Sequence, residues 1–203
     1  MSNKNHLHVR ALTEGAILLA LAVVLNYLSA IIFGSLPQGG SITLAMFPLL
    51  LYVHRWGVGR GALVCFAYGT LDMLLDGGYA WGWQSILLDY LLAYTMLGLG
   101  GAFREKLPMG VALPCGAALA IALRFVCHVL SGYILFSGWA EWFFTQDGFP
   151  AWGASLVEAL SPNMLGFVYS LVYNGMYMVP EILLTAAAAL LVARVPRIVE
   201  KVI

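Results

Sequence analysis

Asp89 interrupts an otherwise apolar run, SILLDYLLAY (residues 85–94). A carboxylate in a stretch greasy enough to sit in a bilayer is costly unless a cation, a hydrogen-bond donor or a proton offsets it. Two more apolar stretches carry polar groups. RFVCHVLSG (124–132) holds Arg124 and His128, and YSLVYNGMYMVPE (169–181) holds Tyr169, Asn174 and Glu181. A carboxylate, an imidazole, an amide and a row of Tyr and Trp rings suit a flat, polar, cationic ligand. Aromatic faces attract cations by about 2 kcal/mol or more when desolvated. The acid supplies countercharge, and an Asn amide can read the donor–acceptor edge of a heterocycle. Two alternatives stand beside this reading. Asp89 can be locked to Arg124, with His128 a packing residue. Asp89 and His128 can also form the acid–base pair of an integral-membrane enzyme. No HExxH spacing and no activated-nucleophile motif accompanies them.

Spacing groups these residues further. Arg124, His128 and Gly132 follow at i, i+4 and i+8, so they share one helical face, and Phe136 continues the row. Gly132 removes bulk beside His128, leaving room for a ligand near the backbone. Asn174, Tyr177 and Glu181 share a face, whereas Tyr169 and Asn174 stand about 140° apart on an ideal helix. Both line one site only if the cavity is wide or the helix distorted. Counting about 1.5 Å per residue from the outer helix ends puts Asp89, His128, Tyr169 and Asn174 at one level, the outer third to half of a bilayer. That convergence predicts one cavity open to the outside. Asp72 and Glu181 read as packing or pairing groups, and either can be the partner of Arg124.

The elements that must hold these groups are membrane helices. The chain has 203 residues, 62% hydrophobic and 10% charged, against about 25% charged in soluble domains. The pattern predicts a single all-α integral membrane domain over 1–203 with six spans, roughly 11–33, 41–53, 57–75, 84–103, 109–136 and 163–193. The second is short and follows PQGGS, so it reads as tilted, re-entrant or part of loop structure. The last contains Gly175 and Pro180, which predict a kink or a change of environment. Of the ten Lys and Arg, all but Arg124 then fall on one side, and the positive-inside rule places both termini in the cytoplasm. The opposite loops hold no Lys or Arg. Two of them, DGGYAWGW (76–83) and SGWAEWFFTQDGFPAWG (137–153), are aromatic, as in an interfacial belt or a lid over a pocket.

Other classes recede. Net charge is zero, which argues against a nucleic-acid partner. Cys65, Cys115 and Cys127 are scattered, as small buried apolar residues are. The polar start MSNKNHLHVR, followed by a long apolar run, does not fit a cleavable signal. There is no phosphate-binding GxxxxGK[ST], and the glycines of GLGGAF read as close helix packing. No internal repeat of the kind common in ion-driven carriers stands out. A transporter built from this chain would therefore borrow ATP hydrolysis from a partner. Ala16 and Ala20 offer a small-xxx-small stripe on which another helix can approach.

Taken together, LTEGAILLALAVVL (12–25), PQGGSITLAMFPLLL (37–51), HRWGVGRGALVCFAYG (54–69), LLDYLLAY (87–94), RFVCHVLSG and YSLVYNGMYMVPE resemble the ThiT family. Its members are the membrane-embedded thiamin-binding S components of energy-coupling-factor (ECF) transporters. The similarity covers nearly the whole chain in order, and GGSITL and YNGMYMVPE are its most specific pieces. The resemblance implies a non-enzymatic, multi-pass subunit of a prokaryotic cell membrane with thiamin as ligand and no cofactor. It implies association with a transmembrane coupling protein and two ABC-type ATPases, with Ala16 and Ala20 docking on the coupling protein. Thiamin contacts would then fall on Tyr79, Asp89, Tyr90, His128, Gly132, Phe136, Tyr169 and Asn174. Asp89 would answer the thiazolium charge or bond the aminopyrimidine, and Tyr90 would bond a polar end. Two departures from the pattern matter. Asp89 is one methylene shorter than a Glu, and Phe136 offers a smaller face than Trp, for which Trp139 is a candidate substitute. An S component for another vitamin is the nearest rival.

Overall fold

The computed structural model describes residues 3–37, 39–75 and 81–202. Every regular element among them is helical. Helix α1 (Asn3–Phe33) is a long run of Leu, Ala, Ile and Val. It ends at Gly34, whose φ of +71° accepts the left-handed turn that stops a helix. After a non-helical stretch come α2 (Met46–Trp56) and α3 (Val58–Leu75). Only Gly57 separates them, at φ +83° with its N–H on the Val53 carbonyl. The fourth helix, α4 (Trp83–Phe103), is continuous but irregular: a first turn, a π-helical stretch over Ile86–Leu92, an α turn, and a 3₁₀ end over Leu97–Phe103. Then follow α5 (Met109–Phe136), the short α6 (Ala140–Thr145) and α7 (Trp152–Ala159), α8 (Pro162–Val192) and a final turn α9 (Pro196–Val199).

Among the described residues, five helical segments are long and apolar enough to cross a membrane: α1, α3, α4, α5 extended through α6, and α8. The expected second span differs. The helix starts at Met46, not 41, and its 11 residues reach only about 16 Å at 1.5 Å per residue. It lies inside the bundle, with Leu49, Leu50, Tyr52 and Val53 buried. The extended segment before it adds reach. The Leu44 N–H bonds Ser29 Oγ near one end of α1, while Tyr52 donates to the Ala11 carbonyl near the other. Residues 44–55 thus run antiparallel along α1 from Ser29 down to Glu14, where Arg55 forms an ion pair. The last expected span is one uninterrupted helix through Gly175 and Pro180.

Glycines let these helices touch backbone to backbone. A Cβ on Gly98 would stand 2.6 Å from Ala62 Cα, and one on Gly116 would collide with the Gly100 carbonyl oxygen. The glycines of LGLGGAF are therefore packing residues, as their sequence suggests. Gly116→Ala is expected to cost about 2–3 kcal/mol by overpacking and to lower the thermal midpoint in detergent by on the order of 5–10 °C. Gly175 has open space around its Cβ position, so Gly175→Ala should be neutral or stabilising by up to about 1 kcal/mol. A thermal-shift series on the two variants checks both, and equal effects would contradict the packing account.

One end of the bundle gathers basic residues. Arg55 donates to the carbonyls of Ile198 at 2.7 Å and Glu200 at 3.0 Å, and Arg104 donates to Val202 at 3.0 Å. The opposite end is roofed by aromatics. Phe143 and Phe144 of α6 are buried, while Trp139, Trp142 and Trp152 are nearly half exposed. In this segment the Phe residues pack inward and the Trp residues stay at the surface.

Candidate ligand cavity

Below the aromatic roof lies a cavity of about 490 Å³. Residues 35–37 and 39–41, α4, α5 and α8 supply most of its wall. Asp89, Tyr90, His128, Gly132, Phe136, Tyr169 and Asn174 all line it. Tyr79 lies outside the described residues. The structure thus brings seven of the eight expected pocket residues to one space.

Asp89 sits within the π-helical stretch of α4, a distortion that often accompanies functional positions. Its carboxylate does not pair with Arg124. Ser85 and Ser131 each donate to Oδ2 at 2.7 Å, and Nδ1 of His128 lies 3.1 Å from Oδ1. With Asp89 a carboxylate, Nδ1 is the protonated nitrogen and Nε2 is left as an acceptor. That Nε2 is buried without a hydrogen-bond partner among the described residues, and so is the hydroxyl of Tyr169. Buried polar atoms ordinarily have partners. Both residues line the cavity, while the two atoms themselves have almost no accessible surface.

Arg124 has a different acid. Its Nη1 lies 2.9 Å from Glu181 Oε2, and the Glu181 side chain is fully buried. The guanidinium also reaches the Tyr94 hydroxyl at 3.3 Å and stands 4.7 Å from that ring's centre. Asp72, read from sequence as a packing or pairing group, belongs to the cavity wall and accepts from Tyr94 at 2.8 Å and from Asn26 of α1 at 2.9 Å. Behind the cavity both charges pair with each other, with Arg124 Nε and Glu181 Oε1 left unpartnered among the described residues, whereas Asp89 lines the cavity with 22% of its side chain exposed.

Two expectations are corrected. Gly132 leaves no gap for a ligand at its α-carbon: a Cβ there would meet Ser170 Oγ and, at 2.9 Å, Asn174 Nδ2. Its small size lets α5 and α8 close together. The Asn174 amide is also engaged. Nδ2 donates to the His128 carbonyl at 3.2 Å and the Ser170 carbonyl at 2.9 Å, and Oδ1 accepts from Tyr177 at 2.6 Å. Asn174 therefore acts first as a tie between α5 and α8.

The 140° separation of Tyr169 and Asn174 is met by a wide cavity. Tyr169, Tyr173 and Tyr177 descend α8 at i, i+4 and i+8, each step turning the face by about 40°, and Asn174 lies beyond them. All four line the space. Tyr173 donates to the Gly39 carbonyl at 3.0 Å, and the Tyr177 ring fills the space beside Gly40. These tyrosines hold the 34–40 segment against the cavity mouth. Phe143 packs edge-on against Tyr169 and Tyr173 at 5.2 and 5.9 Å, closing the roof. Trp139 does not stand in for a larger ring at Phe136; it packs on Trp142 at 5.8 Å. The ring beside Phe136 is Trp81, edge-on at 5.3 Å. Trp81, Tyr173, Ser85 and Ser131 are among the cavity residues that sequence reasoning passed over, and Tyr177 was placed on the Asn174 face without being assigned to the site. The i, i+4, i+8 tyrosine row was a readable signal, whereas nothing local marks the two serines.

A family model described as "Thiamine transporter protein" matches residues 12–200. Among curated relatives, thiamine transporter ThiT of Bacillus subtilis (strain 168) is 30% identical over 200 residues, covering 93% of each chain. Thiamine transporter ThiT of Lacticaseibacillus paracasei is 24% identical over 204 residues, covering 94% of each. A solved structure of ThiT from Listeria monocytogenes superposes with a TM-score of 0.58 at 20% identity, covering 95% of this chain and 98% of that one, and shares the fold. With a family model spanning most of its length and a relative at 30% identity, this chain belongs to the thiamine transporter family.

Proposed function

We propose that the protein is the membrane-embedded thiamin-binding S component of an ECF-type importer. The observation that carries this reading is the cavity itself. It places the Asp89 carboxylate among tyrosine and phenylalanine rings, with His128 and Tyr169 in the same wall, in a chain of the thiamine transporter family. A thiazolium ring is a flat cation, which Asp89 and the rings would hold together. His128 and Tyr169 would flank the ligand from the same wall. Tyr90 and Phe136 complete the wall, Asn174 supports it, and Tyr79 belongs to the same site by resemblance. The protein serves transport and carries out no reaction on its ligand.

Six crossings fit the geometry: the five long helices, and the 44–56 segment returning beside α1. The basic end then faces the cytoplasm with both termini, and the cavity opens outward across a prokaryotic cell membrane. ATP hydrolysis would come from two ABC-type partner subunits through a transmembrane coupling protein. Ala16 and Ala20 are exposed along α1, which supports their use as the docking stripe and argues against packing within the chain.

The test is a titration of purified protein with thiamin, followed by Trp fluorescence through residues such as Trp81. Saturable quenching near one equivalent, with thiamin recovered unchanged, is the expected result. Silence with thiamin and quenching by riboflavin or a pyridoxine would select another vitamin. For the docking stripe, Ala16→Trp with Ala20→Trp is expected to keep thiamin affinity within about twofold, while uptake in cells holding the partner subunits is lost. Normal uptake would remove those residues from the interface.

A further inference from the structure

The surroundings of Asp89 are more specific than a buried acid requires. Both serine hydroxyls donate to one oxygen, Oδ2, at 2.7 Å: Ser85 from the preceding turn of α4 and Ser131 from α5. Both residues are buried, at 4% and 1% exposure. Helical serines commonly return their hydroxyl to the carbonyl four residues back, but these two turn to the carboxylate from two different helices. Hydroxyl-to-carboxylate bonds are among the stronger hydrogen bonds. A pair of them on one oxygen, with His128 on the other, fixes the carboxylate plane.

Resting on the reading of the cavity as a thiamin site, we propose that Ser85 and Ser131 are positioning residues that set its preference for a positively charged ligand. By holding Oδ2, they fix Oδ1 and its share of the negative charge beside His128 at the cavity wall. Without them Asp89 keeps its charge but loses its fixed orientation, and a cation at the opening loses its aligned partner. An uncharged ligand of the same shape, held by rings and polar ends, does not sense the change.

The test uses the full chain purified in detergent and two probes: thiamin, and its uncharged isostere in which a thiophene replaces the thiazolium. Affinities are measured by calorimetry. Ser85→Ala/Ser131→Ala is expected to weaken thiamin about tenfold while the isostere changes less than about twofold, so selectivity for the cation falls by nearly tenfold. Each single alanine variant is expected to lower the ratio about threefold, and these decide the matter if the double variant does not fold. Ser85→Thr keeps a hydroxyl and is expected to keep the ratio. Equal weakening of both probes would make the serines packing residues and overturn the proposal, as would no change in either. Wild-type protein that binds thiamin, with ratios unmoved in every variant, sinks only this inference. Wild-type protein that does not bind thiamin at all sinks the thiamin reading, and this inference with it.

Discussion

Replacing Asp89 with asparagine is expected to weaken thiamin binding by two to three orders of magnitude. The substitution keeps size and shape and removes the charge. Two unit charges about 4 Å apart interact by about 4 kcal/mol at the effective dielectric of a partly buried site, and each 1.4 kcal/mol is roughly a factor of ten in affinity. The carboxylate retains 22% side-chain exposure, so screening takes part of the full value. Fluorescence or calorimetric titration of Asp89→Asn measures the loss directly. Binding within about threefold of wild type would mean that the ligand's charge lies elsewhere, and the cavity would need another account. Asp72 is the obvious rival acid. It is buried and shares Tyr94 with the Arg124 cation, whereas the Asp89 side chain keeps its exposure to the cavity, so Asp72 has less to offer a ligand.

The largest expected effect on stability lies deeper. Arg124 and Glu181 pair at 2.9 Å with side chains 5% and 0% exposed. Removing one member of such a pair leaves an uncompensated buried charge and costs about 3–5 kcal/mol, whereas replacing both by apolar groups is often nearly neutral. Glu181→Leu and Arg124→Met are each expected to lower the thermal midpoint by on the order of 10 °C, and the double variant to recover most of that loss. Thermal shift in detergent, read with gel-filtration profiles, separates the three. A double variant no better than the worse single would show that Arg124 is held mainly by Tyr94 and Met46, which it also contacts.

The helical content and the gathering of polar residues into one cavity were legible because both depend on local pattern: apolar runs of known length, and polar residues counted from their ends. Helix α5 was readable to the residue at both ends, since Pro108 precedes it and Phe136 closes the row that carries Arg124 and His128. Segment 41–53 was misread in extent because a non-helical stretch precedes the short helix there, which no single period describes. Tertiary partners were the other gap. That Arg124 selects Glu181 over Asp89, and that Gly132 admits Ser170, depends on which faces of α5, α8 and α4 meet. Ser85 and Ser131 look like ordinary small helical residues, because their partner acid is four positions away in one case and 42 in the other.

The π-helical stretch over Ile86–Leu92 changes how this helix should be compared between relatives. A wider turn holds more backbone than an α-turn over the same rise, so gaining or losing one residue there swings the downstream side chains around the axis while the helix keeps nearly the same length. An alignment that carries an acid across such a position by fixed offset, without a gap, will assign it to the lipid side. Homologues that seem to lack this acid are best inspected one place to either side of it before being judged unable to hold a cation.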